Sequence, residues 1–419
     1  MKRVGGLWPK ILDFDNLLLA FRKARRGKRD QTEVARFELD LEWELLALQR
    51  ELAEDRYRPG KYRLFHIYDR KARLISAAPF RDRVVHHALM NLVEPALDRT
   101  FIDDSYACRA GRGVHHAVAR YQGWARRYAY ALKVDVRRYF PSIDHQILKA
   151  KLRRRLKEPA VLGLFGRIID SAPETGEAPW AFPGDDLVDL MERRRGLPIG
   201  NLTSQFLGNL YLDALDHHLK EHCGVRAYLR YVDDLVLLSD SKAQLWEWRR
   251  EMDGFLARER LTLHPHKVQI HRTGDGVDVL GYRVFPTHRR LRRDNGYRFR
   301  RRLRGMAKGY RRGRVRLDAV KASINAWIGH LRHAQNRGLR RAVLGAVHFS
   351  RAADRALCPS RGSRRRLEQQ TRQGAVGGAQ QEQRARCEQQ HGLSSGQDAC
   401  TNGQNQRVHG PAGRVRRWP

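Results

Sequence analysis

Acid and cysteine are the two things this chain is short of. Its 419 residues carry 46 Asp and Glu against 82 Lys and Arg, a formal net charge of +36. Such a balance points to a polyanion as partner. The five cysteines, Cys108, Cys223, Cys358, Cys387 and Cys400, are scattered without CxxC spacing, so neither a zinc site nor a disulfide framework can be read from them. The paired histidines of VVHHAL and GVHHAV lack companion ligands at zinc-site spacing. Long apolar runs are missing too. No stretch is long enough to span a bilayer, and the opening MKRVGGLWPKILDFDNLLLAF is broken by charge, unlike a signal peptide. Nucleic acid is therefore favoured over a membrane as the polyanion, and the cytoplasm is the expected location. The composition is otherwise globular: 41% hydrophobic, enough for one large domain or two to three ordinary ones.

Periodicity gives an outline. Residues 31–54 carry apolar residues at helical spacing. Residues 57–80, punctuated by Gly and Pro, read as a strand pair with a basic face. RDRVVHHALMNLVEPALDRTF reads as a helix, and ALKVDVRRYFPSID as a buried strand that ends at Asp135 and turns near Pro141 into the helix HQILKAKLRRRL. After a Pro- and Gly-containing stretch, 171–197, comes the helix IGNLTSQFLGNLYLDALDHHLKEH. The hairpin YLRYVDDLVLLSD follows, then a helix at 241–260, the segment LTLHPHKVQI and the strand pair VDVLGYRVFPT. Residues 289–350 are helical and very basic. Arginines interleaved there with Tyr297, Phe299 and Tyr310 suit phosphate contact with aromatic packing on nucleic acid, which steep salt dependence would accompany. Trp327 reads as core.

The hairpin holds the chemistry. Asp233 and Asp234 lie side by side between greasy runs, with an Asp-Asp tip expected and no glycine to make it an ordinary turn. Hard divalent cations bind carboxylate oxygens and offset such repulsion. Asp135 supplies a third carboxylate. One strand-end aspartate and two on a hairpin could hold two Mg²⁺ ions, with Mn²⁺ as an alternative, for in-line attack on a nucleotide phosphate.

At this point the chain resembles the reverse transcriptases over about residues 56–350. The resemblance rests on KARLISAAPFRDRVVHHAL, SYACRAGRGVHHAV, KVDVRRYFPSID, GLPIGNLTSQ, RYVDDLVLL, LTLHPHKVQI and VLGYRVF, in family order. It implies an α+β right-hand polymerase fold: an N-terminal helical extension (1–54), fingers and palm with a YxDD hairpin (55–285), a basic helical thumb (286–350) and a Gln/Arg-rich tail (351–419). It implies Asp135 and Asp233 as main metal ligands with Asp234 assisting, and Lys267 as proton donor to pyrophosphate. Arg73 and Arg83 would meet the triphosphate, and Phe140 would exclude a ribose 2′-OH. Leu280, Gly281 and Tyr282 match the primer grip. The implied partners are template RNA, the RNA/DNA heteroduplex and dNTPs, with a small basic accessory protein.

Gly200, Ser204 and Gln205 bear on the subtype. Intron, retron and retroviral enzymes carry Gln-Gly followed by Ser-Pro here, whereas the Gly-x-x-x-Ser-Gln form is similar to diversity-generating retroelements. In those, a template-repeat RNA is copied with errors at adenines, and the cDNA replaces a variable region. This segment is expected to line the template-base and nucleotide pocket. A group II intron-like or retron-like enzyme is the alternative within the class, and a non-catalytic RNA-binding protein the alternative outside it.

The tail bears separately on the subtype. Beyond Cys358 it has too few apolar residues to fold alone. In LEQQTRQ, AQQEQR and CEQQHG, a Glu or Gln codon followed by a Gln codon, read one base later, spells Asn or Ser. The shifted frame of residues 367–373 can read WNNKPG, and later ANNNTGFRL. That text resembles the end of a formylglycine-generating-type, C-type-lectin-like domain, the sort of protein these retroelements diversify. The tail is thus expected to be the reading frame running into its own template repeat. The coding DNA should therefore show AAC runs beneath these glutamines in the +1 frame; sequencing that finds none removes the idea.

Overall fold

The computed structural model describes residues 2–68, 72–173, 181–182 and 185–350. The glutamine-rich tail, and with it the expectation of a misread frame, lies outside them. Four helices open the chain: α1 (Trp8–Leu12), α2 (Phe14–Arg25), α3 (Thr32–Leu39) and α4 (Leu41–Ala53). The periodic stretch expected as one helix breaks at Asp40, and the apolar spacing runs through that residue without any sign of it. These helices belong to the main core. Phe21 and Phe37 stack at 5.7 Å, and both meet Phe80 edge-on.

An antiparallel hairpin, β1 (Arg63–Tyr68) and β2 (Ala72–Ala77), leads into the long helix α5 (Phe80–Asp98). Arg81 anchors the start of α5 by a two-pronged bond to Glu51 of α4, 2.9 Å on each arm. Then come α6 (Val114–Ala125), β3 (Tyr130–Asp135), the single turn α7 (Tyr139–Ser142), α8 (His145–Arg155), α9 (Pro159–Asp170), α10 (Leu187–Glu192) and α11 (Leu202–His217). The hairpin β4 (Tyr228–Tyr231) and β5 (Asp234–Ser239) is followed by α12 (Lys242–Arg258) and β6 (Gln269–Arg272).

Strands β4, β5, β3 and β6, in that order, form an antiparallel sheet at the centre of the molecule. Both faces are covered, which explains why DLVLLS is an unbroken apolar run. Leu132, Val134, Leu235 and Leu237 pack with the helices of the first half of the chain. Ala131, Leu229, Val236 and Leu238 face α6 and the later elements. Those are a three-stranded meander, β7 (Val277–Val279), β8 (Tyr282–Val284) and β9 (Arg289–Leu291), and the helices α13 (Arg293–Arg311), α14 (Leu317–Leu331) and α15 (Arg337–Leu344). The expected strand pair thus has a third strand, taken from the start of the stretch read as helical.

Trp327 is core, as its pattern suggested, and Phe299 stacks on it at 4.3 Å. Phe299 is therefore not a nucleic-acid contact. Tyr297, two residues earlier on α13, is 72% exposed, because residues two apart point to nearly opposite sides of a helix. No helix among the described residues is long and apolar enough to cross a membrane. Together with the family resemblance carried by the motifs, this arrangement of helices around a central antiparallel sheet is the α+β right-hand fold.

The paired histidines of α5 are packing residues. His86 is buried, and burial pushes its imidazole down to about 3, helped by His87 and Arg83. It folds neutral but is protonated below about 6.5 in the unfolded chain. The unfolded state then binds more protons, so stability is lost as pH falls from about 6.5 toward 3. Between pH 7.5 and 5 this residue should cost about 2 kcal/mol. Urea melts should show a shallower acid decline in His86→Leu than in the parent protein.

Candidate active site

The antiparallel register of the central sheet sets Asp135 directly opposite Asp234. Cross-strand partners share a face, with Cβ atoms about 5 Å apart, and like charges placed so are destabilising. Since Tyr231 pairs with Asp234, the two-residue loop of the hairpin is Val232-Asp233, and the expected Asp-Asp tip is shifted by one residue. Asp234 is already the first residue of its strand. The Asp233 carbonyl accepts from the Val136 N–H at 3.1 Å, which joins the loop to the end of β3.

Three carboxylates therefore meet at one end of the sheet, with too little positive charge of their own. Burial, followed by Asp234 and Asp135, raises Asp233 to about 6, against the pull of Lys267. Burial also raises Asp234, with Asp135 adding to the effect and Lys133 and Lys267 opposing it. An all-oxygen, all-anionic donor set of this kind fits a hard divalent cation rather than a thiophilic one. Lys267 donates to Asp135 Oδ1 at 2.6 Å, so its ammonium partly fills the role of counter-ion.

The hairpin loop is strained. Val232 has φ 57°, a left-handed conformation that a β-branched residue rarely adopts and that hairpins usually give to glycine or asparagine. Arg138 and Leu280, at φ 46° and 45°, adopt it close by in sequence to other site residues. What holds Val232 is Arg230, whose guanidinium donates to its carbonyl at 3.2 Å. Arg230 is wholly buried and forked onto the equally buried Asp216 of α11, with Nη2 to Oδ2 at 2.6 Å and Nε to Oδ1 at 2.8 Å. Asn209 receives its remaining donors, and Tyr228 donates to Asp216 at 2.6 Å. No motif in the sequence pairs these residues. The network's signal is charge inside greasy segments, Arg230 in YLRYV and Asp213 and Asp216 in LYLDALD.

Helix α11 also positions Phe140. A methyl group on Gly208 would come within 3.2 Å of the Phe140 ring, and the Tyr139 hydroxyl donates to the Gly208 carbonyl. Gly200 has φ 118°, and a Cβ there would strike Ile75 at 2.9 Å. The Ser76 N–H donates to the Ile199 carbonyl at 3.0 Å, and Asn201 donates to the Ser76 carbonyl at 3.3 Å. These bonds tie β2 to the start of α11, where Ser204 is buried and Gln205 partly exposed. Asn201 was also absent from the sequence reading.

Other expected residues are less gathered. Arg73 lies exposed on β2, and Arg83 donates to the Ala78 carbonyl at 2.8 Å, fixing the entry to α5. Leu280 lines a small cleft with Lys133, Tyr231 and Asp234, which sets the start of the Leu280–Gly281 turn beside Asp234. Tyr282 does not face that cleft. It is buried, with its hydroxyl donating to the His330 carbonyl at 2.9 Å.

Comparison with known proteins bears on the family of the chain. A family model described as reverse transcriptase (RNA-dependent DNA polymerase) matches residues 67–284, about half the chain. Protein YkfC of Escherichia coli is 27% identical over 281 residues, 58% of this chain and 71% of that protein. Nuclear intron maturase 1, mitochondrial, of Arabidopsis thaliana is 31% identical over 86 residues, 20% of this chain and 12% of the maturase. Among solved structures, apo telomerase from Candida tropicalis superposes with a TM-score of 0.42 at 10% identity, covering 56% of this chain and 49% of that one.

The buried ion pair makes a separable prediction. Asp216→Asn, which leaves the Arg230 charge uncompensated, should destabilise the fold by about 3–5 kcal/mol in urea melts. The double variant Asp216→Leu/Arg230→Met should recover most of that stability, because neither buried charge remains. It should not recover nucleotide incorporation, because the Val232 carbonyl has lost its donor.

Proposed function

Because this chain belongs to the reverse transcriptase (RNA-dependent DNA polymerase) family, we propose that it copies a template RNA into cDNA by two-metal nucleotidyl transfer within a diversity-generating retroelement. The observation that carries the catalytic reading is the register of Asp135 against Asp234, with Asp233 in the adjoining loop. Asp135, Asp233 and Asp234 are the residues that would hold divalent cations, two Mg²⁺ or in their place Mn²⁺. Bound there, such ions would supply the positive charge that a triphosphate's displacement requires.

The chain's own groups do the rest. Arg73 and Arg83 neutralise the incoming triphosphate, and Lys267, released from Asp135, donates a proton to departing pyrophosphate. Phe140, seated by Gly208, bars a ribose 2′-OH. The Leu280–Gly281 turn positions the primer end. Residues 55–285 act as fingers and palm, and the arginine-rich helices of 286–350 act as a thumb that holds the RNA/DNA heteroduplex by phosphate contact. A small basic accessory protein assists, and the reaction takes place in the cytoplasm.

The subtype rests on Gly200, Ser204 and Gln205. The residues on either side of Gly200 are tied to β2 by the Ser76 N–H on the Ile199 carbonyl and by the Asn201 side chain on the Ser76 carbonyl, which supports a fixed position for this segment. The proposal is that these side chains relax base selection opposite template adenines. Similarity to proteins named for an intron maturase and for a cob intron favours a second reading, an intron-like enzyme.

Primer extension on an RNA template with Mg²⁺ and dNTPs, followed by deep sequencing of the cDNA, tests these readings. Incorporation should fall about a thousandfold in Asp233→Asn, a loss of several kcal/mol of charge stabilisation. Errors concentrated opposite adenines support the diversity-generating subtype, whereas accurate cDNA moves the assignment to the intron-like or retron-like reading. No Asp233-dependent synthesis, even with the element's own RNA and accessory protein, leaves a non-catalytic RNA-binding protein.

A further inference from the structure

The end of α11 does not stop as an α-helix. It widens into a π-helical turn, His218–His222, closed by the Cys223 N–H donating to the His218 carbonyl at 3.0 Å. In an α-helix, residues five apart diverge by about 140° around the axis. The wider turn of an i→i+5 bond brings them back toward one face. Cys223 Sγ consequently lies 3.6 Å from His218 Nε2. Helix α12 passes alongside and contributes Glu251, whose Oε2 is 3.7 Å from the same nitrogen. The Phe255 ring, also on α12, lies 5.0 Å from the His218 ring.

The donor atoms of His218, Cys223 and Glu251 all fall within 4.8 Å of one another, and no other His/Cys/Asp/Glu trio among the described residues meets that condition. Zinc bonds of about 2.3 Å to sulfur and about 2.0–2.2 Å to nitrogen and oxygen, at tetrahedral angles, put S and N about 3.5 Å apart and N and O about 3.4 Å apart. The observed 3.6 and 3.7 Å therefore need adjustments of only a few tenths of an ångström. A fourth tetrahedral position would be left to water.

We propose that His218, Cys223 and Glu251 form a structural site for a thiophilic divalent metal of the zinc class, pinning the end of α11 to α12. The mixed N, S, O donor set separates it from the all-oxygen aspartate cluster. Its position gives it a purpose. His218 is two residues from Asp216, so a metal here would fix the helix end whose carboxylate holds Arg230.

The test is Co²⁺ titration of the full-length, chelator-stripped protein, followed by absorption. The expected result is a thiolate-to-cobalt charge-transfer band that saturates at one equivalent and is bleached by Zn²⁺. The band should vanish in Cys223→Ser. Affinity should fall at least about tenfold in His218→Ala and in Glu251→Gln, the latter an exposed change that leaves the fold intact. Zn²⁺ should raise the thermal midpoint of the parent protein but not of Cys223→Ser. Carboxylates alone give no thiolate band, so the readout is independent of polymerase activity. Absence of the band, its persistence in Cys223→Ser through Cys108 or another cysteine, or unchanged affinity in Glu251→Gln would overturn the proposal.

Discussion

Arg230 is an arginine with no access to water, and the acidic hairpin depends on its staying where it is. Taking a guanidinium out of water is affordable only when an opposite charge and hydrogen-bond acceptors replace the solvent. Asp216 supplies the charge; Asn209 and the Val232 carbonyl supply acceptors. Because the fork is rigid and fully used, it fixes β4 against α11 and dictates where the loop carbonyl points. The left-handed Val232 is thereby held in place, at a cost that the surrounding contacts must offset.

From that loop the electrostatics follow. Register across β3 and β5 decides that Asp135 and Asp234 share a face, and the loop adds Asp233 beside them. Burial and mutual repulsion then raise Asp233, so the site favours whatever brings positive charge. Lys267 is one such source. The same helix that carries Asp216 also carries Gly208, which leaves room for Phe140, and its first turn is bound to β2 through Asn201. Helix α11 therefore aligns the carboxylates, the ring at Phe140 and the Gly200–Gln205 segment together. A metal at its far end would act on that shared scaffold.

Much of this was legible in advance. The strand ending at Asp135, the hairpin around the aspartates, the long helices α5 and α11 and the core role of Trp327 all follow from periodicity and turn residues. Where the reading slipped, a distant partner decided. Nothing local places the loop at Val232-Asp233 instead of Asp-Asp; pairing of Tyr231 with Asp234 does. Phe299 looked like a surface aromatic among arginines until Trp327 stacked on it, and Tyr282 looked like part of a grip until His330 received its hydroxyl. The break at Asp40 has no counterpart in the apolar spacing.

The order of the motifs, the excess of positive charge and the alternation that sends strand residues to two buried faces were determined by the sequence alone. Each is a property of neighbours along the chain, and hydrophobic period and charge act at that range. The tertiary structure decided which groups meet. Arg230 reaches Asp216 across 14 positions, Lys267 reaches Asp135 across 132, and Glu251 reaches His218 from another helix. Such meetings depend on strand register, on one π turn and on the packing of α11 against its neighbours, so no spacing in the sequence announces them. Chemistry at this site arises where charges from separate segments are forced into one small, partly dry volume, and only the folded chain does that.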